Sequence, residues 1–190
     1  MLVGHKLGMA AEQLDELRRA AELHDVGKAA IPDAILDKPG PLDQQEWEFM
    51  RRHTLVGERI LAAAPALAPV ATIVRSSHER WDGEGYPDRL RGEQIPLAAR
   101  IVAVCDAYEA ITDDRCYRSA RSSEIARDEL LREAGRQFDP AVVVAFLEEL
   151  DQPQPQDAGT PVPTADEHDA WQLAEEVAEH FGQLLEHASA

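Results

Sequence analysis

The sequence predicts an all-α fold, and three observations predict it. Apolar residues recur at helical spacing in one segment after another. No segment alternates apolar and polar residues at period two, and the periodic stretches are bounded by capping signals and by Gly- and Pro-rich connectors. The 190 residues fit one domain of ordinary size with an appendage, and a hydrophobic fraction of 44% is enough for a real core. No run of about 18 apolar residues exists to span a membrane. The opening Met1-Leu2-Val3-Gly4-His5-Lys6 is too short and too polar for a secretory signal. Cys105 and Cys116 are not spaced as zinc ligands, so they read as reduced thiols of a cytoplasmic protein.

Charge narrows the function classes. The formal net charge is −17, and residues 151–190 hold nine of the 36 acidic residues and no Lys or Arg. A nucleic acid polymer needs a basic footprint, which this chain lacks. An anionic ligand must therefore be held locally, by metal ions and a few placed Lys or Arg side chains.

Residues 10–25 read as a helix with Leu14, Leu17, Ala21 and His24 on one stripe, so His24 ends the buried face. Gly27 is expected to stop that helix with φ > 0, and Lys28 follows as a point charge within reach of a phosphate oxygen. The adjacent His24 and Asp25 can both reach one metal ion, or can be a surface His beside a helix-terminal Asp. Residues 26–42 read as a loop, with Ile31, Ile35 and Leu36 plugging the core. Asp43 and Glu46 form a capping signature for a helix running to about Ala64, its apolar stripe Trp47, Met50, Thr54, Gly57, Ile60 and Leu61. His53 lies at the edge of that stripe and reads as a structural His or a ligand.

A third helix over 67–79 turns Val70, Ile73 and Val74 inward, with His78 one turn beyond. Residues 79–95 hold Gly83, Gly85, Gly92 and Pro87 and must form a loop. Its Trp81 and Tyr86 fit either a turn pinned to the core or a loop that faces a substrate. Pro96 opens a helix to about Ile111 with Ile101, Val104, Cys105 and Tyr108 on its inner stripe. Asp106 lies beside that stripe, where a carboxylate is costly unless it is paired or binds a cation. Further helices are expected at 123–134 and at 140–150, the latter capped by Asp139. The domain thus covers 1–150. Residues 151–165, with four prolines, read as a stiff linker, and 166–190 carries an amphipathic helix at 166–187 that must dock on the domain or on another chain.

His24, Asp25, His53, His78 and Asp106 gather three imidazoles and two carboxylates from separate helices. Bundles build two-metal sites from such side chains, and two close cations suit phosphoryl displacement by water. Nitrogen and oxygen donors favour Fe, Mn, Zn or Co.

The motif order is His24-Asp25-Val26-Gly27-Lys28, Ile31-Pro32-Asp33, Lys38-Pro39-Gly40, His53, then His78-Glu79-Arg80-Trp81-Asp82-Gly83-Glu84-Gly85-Tyr86-Pro87. Ile95-Pro96, Arg100-Ile101, Asp106-Ala107, Asp114-Arg115, Tyr117-Arg118 and Phe138-Asp139-Pro140 follow. Across roughly residues 5 to 150 this closely resembles the HD-GYP subfamily of the HD-domain metal-dependent phosphohydrolases. The resemblance implies a helical bundle with at least two divalent transition metals, Fe or Mn foremost, with Zn, Co or Ni also fitting. It implies hydrolysis of cyclic di-GMP to pGpG and GMP in bacterial second-messenger signalling. By the same resemblance Asp25 bridges two metals, His24 and Asp106 serve the first, and His53 and His78 serve the second. Lys28 contacts the scissile phosphate, and Tyr86, Pro87, Arg115 and Arg118 lie near the substrate. Receiver, sensor or GGDEF-type domains are implied partners, with a homodimer as a further expectation.

Three departures accompany the resemblance. Ser77 stands where the family has a second His beside His78, and Glu109 where it usually has Asp. The family's upstream His sits on a helix before the segment that matches Gly4 to Met9, and His5 does not match it. One metal then has fewer ligands. The alternative expectation is a weak or inactive module that acts by binding a nucleotide or a protein partner. A third is the same chemistry on a related phosphoester.

Overall fold

Helix caps and apolar stripes set the frame. The computed structural model describes residues 1–113 and 121–152, all within the unit Met1–Gln152. Arg115 and Arg118, the chain beyond residue 152 and the helix expected at 166–187 lie outside the described residues. Among the described residues every regular element is helical, with one isolated bridge between Ala134 and Phe138.

Helix α1 (Leu2–Lys6), not expected from the sequence, seats Val3 and Gly4 on α2 (Ala11–Leu23). The buried stripe of α2 is Leu14, Leu17 and Ala20. Ala21 is exposed, so the stripe expected through Ala21 is rotated by one residue, and His24 lies at its margin. The expected loop 26–42 holds a 3₁₀ turn, Val26–Ala30, and a short α3 (Asp33–Leu36). Ile31 is buried as expected, but Leu36 is exposed, because α3 packs on the surface-lying α4 (Gln44–Met50) rather than on the core.

The single helix expected from Asp43 to Ala64 is two. Asp43 caps α4, its carboxylate accepting the Glu46 N–H at 2.9 Å while the Glu46 side chain accepts the Asp43 N–H. At Arg52 the N–H turns to Phe49 O, an i→i−3 bond that tightens the last turn, and α5 (His53–Ala62) begins as a separate helix. Trp47 is thereby taken off the core stripe and stands 47% exposed.

Helix α6 (Ala68–Arg75) buries Val70, Ile73 and Val74 and stops four residues short of the expected 79. Ser77 Oγ donates to Val74 O at 2.9 Å, a side-chain bond that competes with the helix ladder, so His78 projects from a turn. Helix α7 (Leu97–Thr112), with Pro96 as its cap, is the central strut and packs on α2, α6, α8 (Ser123–Glu133) and α9 (Pro140–Leu150). Ala99, Ile101 and Val104 of α7, Leu130 of α8 and Val143 of α9 are each 2% exposed or less. Each large aliphatic side chain so buried contributes roughly 1.5–3 kcal/mol.

Gly27 does not end α2 with a positive φ; it lies inside the 3₁₀ turn. It is glycine for another reason. A Cβ there would sit 1.9 Å from His53 O and 2.6 Å from Gly57 N, so the turn lies backbone-on-backbone against the start of α5. Gly27→Ala should therefore cost about 3 kcal/mol or more, read as a lower urea midpoint at unchanged slope. An unshifted midpoint would show that the two backbones can separate at little cost.

Candidate metal centre and cleft

The Gly27 contact sets Asp25, just past the end of α2, against His53 at the start of α5. Asp25 Oδ1 lies 3.8 Å from His53 Nε2, and one ligand atom from each of Asp25, His53 and His78 falls within 4.8 Å of the others. Asp25 Oδ2 faces the other way. It is 3.6 Å from His24 Nε2, whose ring nitrogen is in turn 3.9 Å from Asp106 Oδ1 on α7. Lys28 Nζ donates to the same Oδ2 at 2.5 Å. Five side chains expected to converge therefore do so, as two groups that share Asp25.

Backbone carbonyls orient two of the imidazoles. A carbonyl only accepts, so His53 Nδ1 donates to Met50 O and His24 Nδ1 to Ala21 O, each at 2.8 Å. Both Nε2 lone pairs are thereby aimed at the centre, the usual support behind a metal-binding His. Burial pushes the His53 imidazole below its ordinary pKa. Burial, with His53 beside it, takes His78 down to about 4. Both rings are neutral at pH 7, as ligands must be. Burial alone would raise the Asp25 carboxyl, but the Lys28 hydrogen bond and the neighbouring His24 and Lys28 charges hold it below the usual carboxylate range.

Among the described residues, three buried side-chain atoms have no hydrogen-bond partner: Asp25 Oδ1, His53 Nε2 and His78 Nε2. Leaving buried polar atoms unpaired costs about 1–3 kcal/mol each. All three belong to the same cluster, and ligand bonds of roughly 2.0–2.2 Å reach such a spacing. The donors present fit a divalent cation of the borderline, N/O-binding kind. Ser77 does not join them, since its hydroxyl is turned back to Val74 O. His5 is exposed on α1, outside the cluster.

The centre opens into a cleft of about 790 Å³ that His78 and Asp106 help to line. The loop 79–95 forms one wall and is held by polar bonds. Buried Glu79 accepts the Asp88 N–H at 2.6 Å and the Leu90 N–H at 3.1 Å; burial raises its carboxyl pKa, and these bonds oppose the rise. Trp81 and Asp82 donate their N–H groups to Gln137 O and Arg136 O. Gly85 is required by close approach, since a Cβ would lie 2.3 Å from Arg80 N. Beyond it the Tyr86–Pro87 bond is cis, and Tyr86 N donates to His78 O at 3.2 Å. The Tyr86 ring stacks on His78, centroids 5.2 Å apart and 8° from parallel. Burial pushes its phenol up to about 12. The loop thus faces the centre, and Trp81 is also held under it by Arg100, 5.7 Å from the ring.

The opposite wall was missed by sequence reasoning. Gln44, Trp47, Glu48 and Arg51 of the α4 segment line the cleft, with Arg51 over the Tyr86 ring at 5.4 Å. Their i, i+3, i+4, i+7 spacing is a signal in the sequence, but Trp47 on that stripe reads as core. A second cavity of about 250 Å³ lies behind His24 and Asp106, lined also by Cys105 and Glu109.

With this geometry in view, three comparisons agree. A family model described as an HD domain matches residues 2–142. A 3′3′-cGAMP-specific phosphodiesterase of Vibrio cholerae is 43% identical over 152 residues, covering 79% of this chain and 29% of the relative. A cyclic di-GMP phosphodiesterase response regulator of Xanthomonas campestris is 44% identical, covering 77% of this chain and 39% of the relative. A cyclic di-GMP phosphodiesterase of Thermotoga maritima is 42% identical, covering 76% and 40%. The chain therefore spans well under half the length of these relatives. A crystal structure of a cyclic GMP-AMP-specific phosphodiesterase from Vibrio cholerae superposes with a TM-score of 0.63 at 20% identity, over 80% of this chain and 42% of that one, a likeness of fold.

Manganese in about 100-fold excess over its Kd should stabilise the protein by about 2.7 kcal/mol, roughly 5–10 °C in Tm. Calorimetry of Asp25→Asn and His53→Ala should show most of that shift gone. A shift of the same size in both variants would place the cation elsewhere.

Proposed function

The chain belongs to the HD-domain phosphohydrolases, and on that premise we propose that it is a metal-dependent phosphodiesterase acting on cyclic di-GMP, yielding pGpG and GMP. The observation that carries this reading is the sharing of Asp25 between two groups of donors, one of which holds three buried atoms with no other partner. Family membership makes the protein metal-dependent in class, and Fe or Mn is our choice among the metals this donor set accepts.

Two bound divalent cations would provide an activated water near neutral pH and offset charge on the phosphate. His24 and Asp106 would hold the first and His53 and His78 the second, with Asp25 common to both. The side chains do the rest. Lys28, now on Asp25 Oδ2, is placed to donate to a non-bridging phosphate oxygen beside that carboxylate. The Tyr86 phenol keeps its proton across the physiological range and can donate to the substrate, while its ring and Pro87 shape the cleft wall. Neutral His78 is held in place by stacking on Tyr86. Arg115 and Arg118 we keep as substrate contacts on the strength of the family resemblance.

The setting we infer is cytoplasmic second-messenger signalling. Among the described residues no helix is long and apolar enough to cross a membrane. Receiver, sensor or GGDEF-type domains are the partners we propose, and a homodimer the assembly. One observation favours a second reading, a weak or inactive binding module: the Ser77 hydroxyl is committed to Val74 O, so the second group has no donor from that position.

Elemental analysis of the purified protein, followed by hydrolysis of cyclic di-GMP with added manganese or iron, separates the readings. We expect close to two metals per chain and turnover. Asp25→Ala should lower kcat by at least about 10²–10³-fold. Nucleotide binding at low metal content without turnover would favour the binding module, and retained turnover in Asp25→Ala would remove that residue from the chemistry.

A further inference from the structure

The α4 wall of the cleft has a composition that the phosphodiester chemistry does not use. Gln44, Trp47, Glu48 and Arg51 form one helical face, and all four line the cleft. A helix normally turns its aromatic residue inward, yet Trp47 is 47% exposed and takes no part in the hydrophobic core. Gln44 Nε2 donates to Glu48 Oε1 at 3.3 Å, which steadies a carboxylate on the same cleft-lining stripe as the indole. One turn on, Arg51 lies over Tyr86, and Tyr86 stacks on His78, so this wall is continuous with the metal centre. A rise of about 1.5 Å per residue sets Trp47 about 6 Å from Arg51 along the helix axis.

An exposed indole offers a flat face on which any nucleobase can stack. A carboxylate on the same wall can select among bases. Guanine presents two adjacent donors, N1–H and N2–H, to a carboxylate. Adenine presents a lone pair at N1, which a carboxylate repels. Arg51, between the indole and the centre, suits the phosphate of a nucleotide whose base lies on Trp47. We propose that Trp47 and Glu48 form a guanine subsite on the α4 wall, with the indole stacking on the base and the carboxylate reading its Watson–Crick edge. This rests on the cyclic dinucleotide reading above and assigns its base specificity to a helix rather than to the loop 79–95.

GMP and AMP, titrated into the full chain without added metal, test the subsite apart from catalysis. GMP should quench tryptophan fluorescence and bind at least tenfold more tightly than AMP. Trp47→Ala should weaken GMP by roughly 5- to 100-fold. Trp47→Phe should keep GMP affinity within a few-fold by calorimetry while losing the quench. Glu48→Gln should bring GMP and AMP to within about threefold of each other. Both positions are exposed, so circular dichroism should report unchanged folding. In hydrolysis of cyclic di-GMP, Trp47→Ala should raise KM more than it lowers kcat. Equal affinity for GMP and AMP in the unaltered protein, or wild-type GMP affinity in both Trp47→Ala and Glu48→Gln, overturns the subsite whatever the hydrolysis shows. Selective GMP binding that needs both residues, in a protein that hydrolyses no cyclic dinucleotide, upholds the subsite and overturns the hydrolase reading.

Discussion

The contact between the backbone at Gly27 and the first turns of α5 is the constraint on which the rest depends. It brings two main chains to a separation that no side chain could share. Because Asp25 is two residues before Gly27, and His53 begins α5, the contact also fixes the distance between a carboxylate and an imidazole from distant parts of the sequence. Gly57, one turn along α5, completes the fit: a Cβ there would meet Val74 Cγ1 at 3.1 Å, so α6 is drawn against the same surface and His78 follows it. A packing requirement between backbones thus becomes a requirement on the geometry of a polar site.

Around that contact the protein accepts an electrostatic cost. Among the described residues three side-chain atoms of this cluster are buried without partners, and two imidazoles are held neutral by burial. Such a cluster is stabilised from behind, by carbonyl oxygens at Ala21 and Met50 that fix the ring orientation. It is also stabilised from the side, by the loop 79–95. That loop has no helix ladder of its own over most of its length, so its order comes from anchors: Glu79 on two backbone N–H groups, Arg80 on Asp82, and Arg75 between Glu58 and Asp88. Below it, Arg100 pairs with buried Asp139 at 2.6 Å, and Asp139 also caps α9. A charge pair this deep is useful for register more than for net stability. Here it ties α7, the helix carrying Asp106, to the start of α9.

The break at Arg51 and Arg52 has the largest consequence for the cleft. Had the capped helix continued, Trp47 would have followed Thr54 and Gly57 into the core. Instead α4 ends at Met50, and its polar stripe with one indole lines the same cleft as Tyr86. The three relatives share this much of the chain at 42–44% identity, while most of each relative lies beyond the matched region. The cleft is therefore the part of the molecule through which the likeness to named phosphodiesterases can be examined.

Much of this was legible without coordinates. Helical class, the Asp43 and Asp139 caps and the inward faces of α6 and α7 follow from local periodicity and from the hydrogen-bonding needs of helix ends, which act over a few residues. The candidate donors could also be named from the sequence: Asp106 because a carboxylate in an apolar helix interior is costly unless used, and His24, Asp25, His53 and His78 chiefly through the order of motifs. Other features were decided only by tertiary contact. Gly27 is a close-approach glycine and not a cap, because its constraint is a backbone some 26 residues away. Leu36 and Trp47 face solvent, because whether a stripe meets a core depends on where the next helix lies. Asp25 stands between two groups of candidate donors, because four chain segments must pack before their lone pairs can face one another. Local sequence determines which faces a helix can offer; only the assembled bundle determines what each face meets.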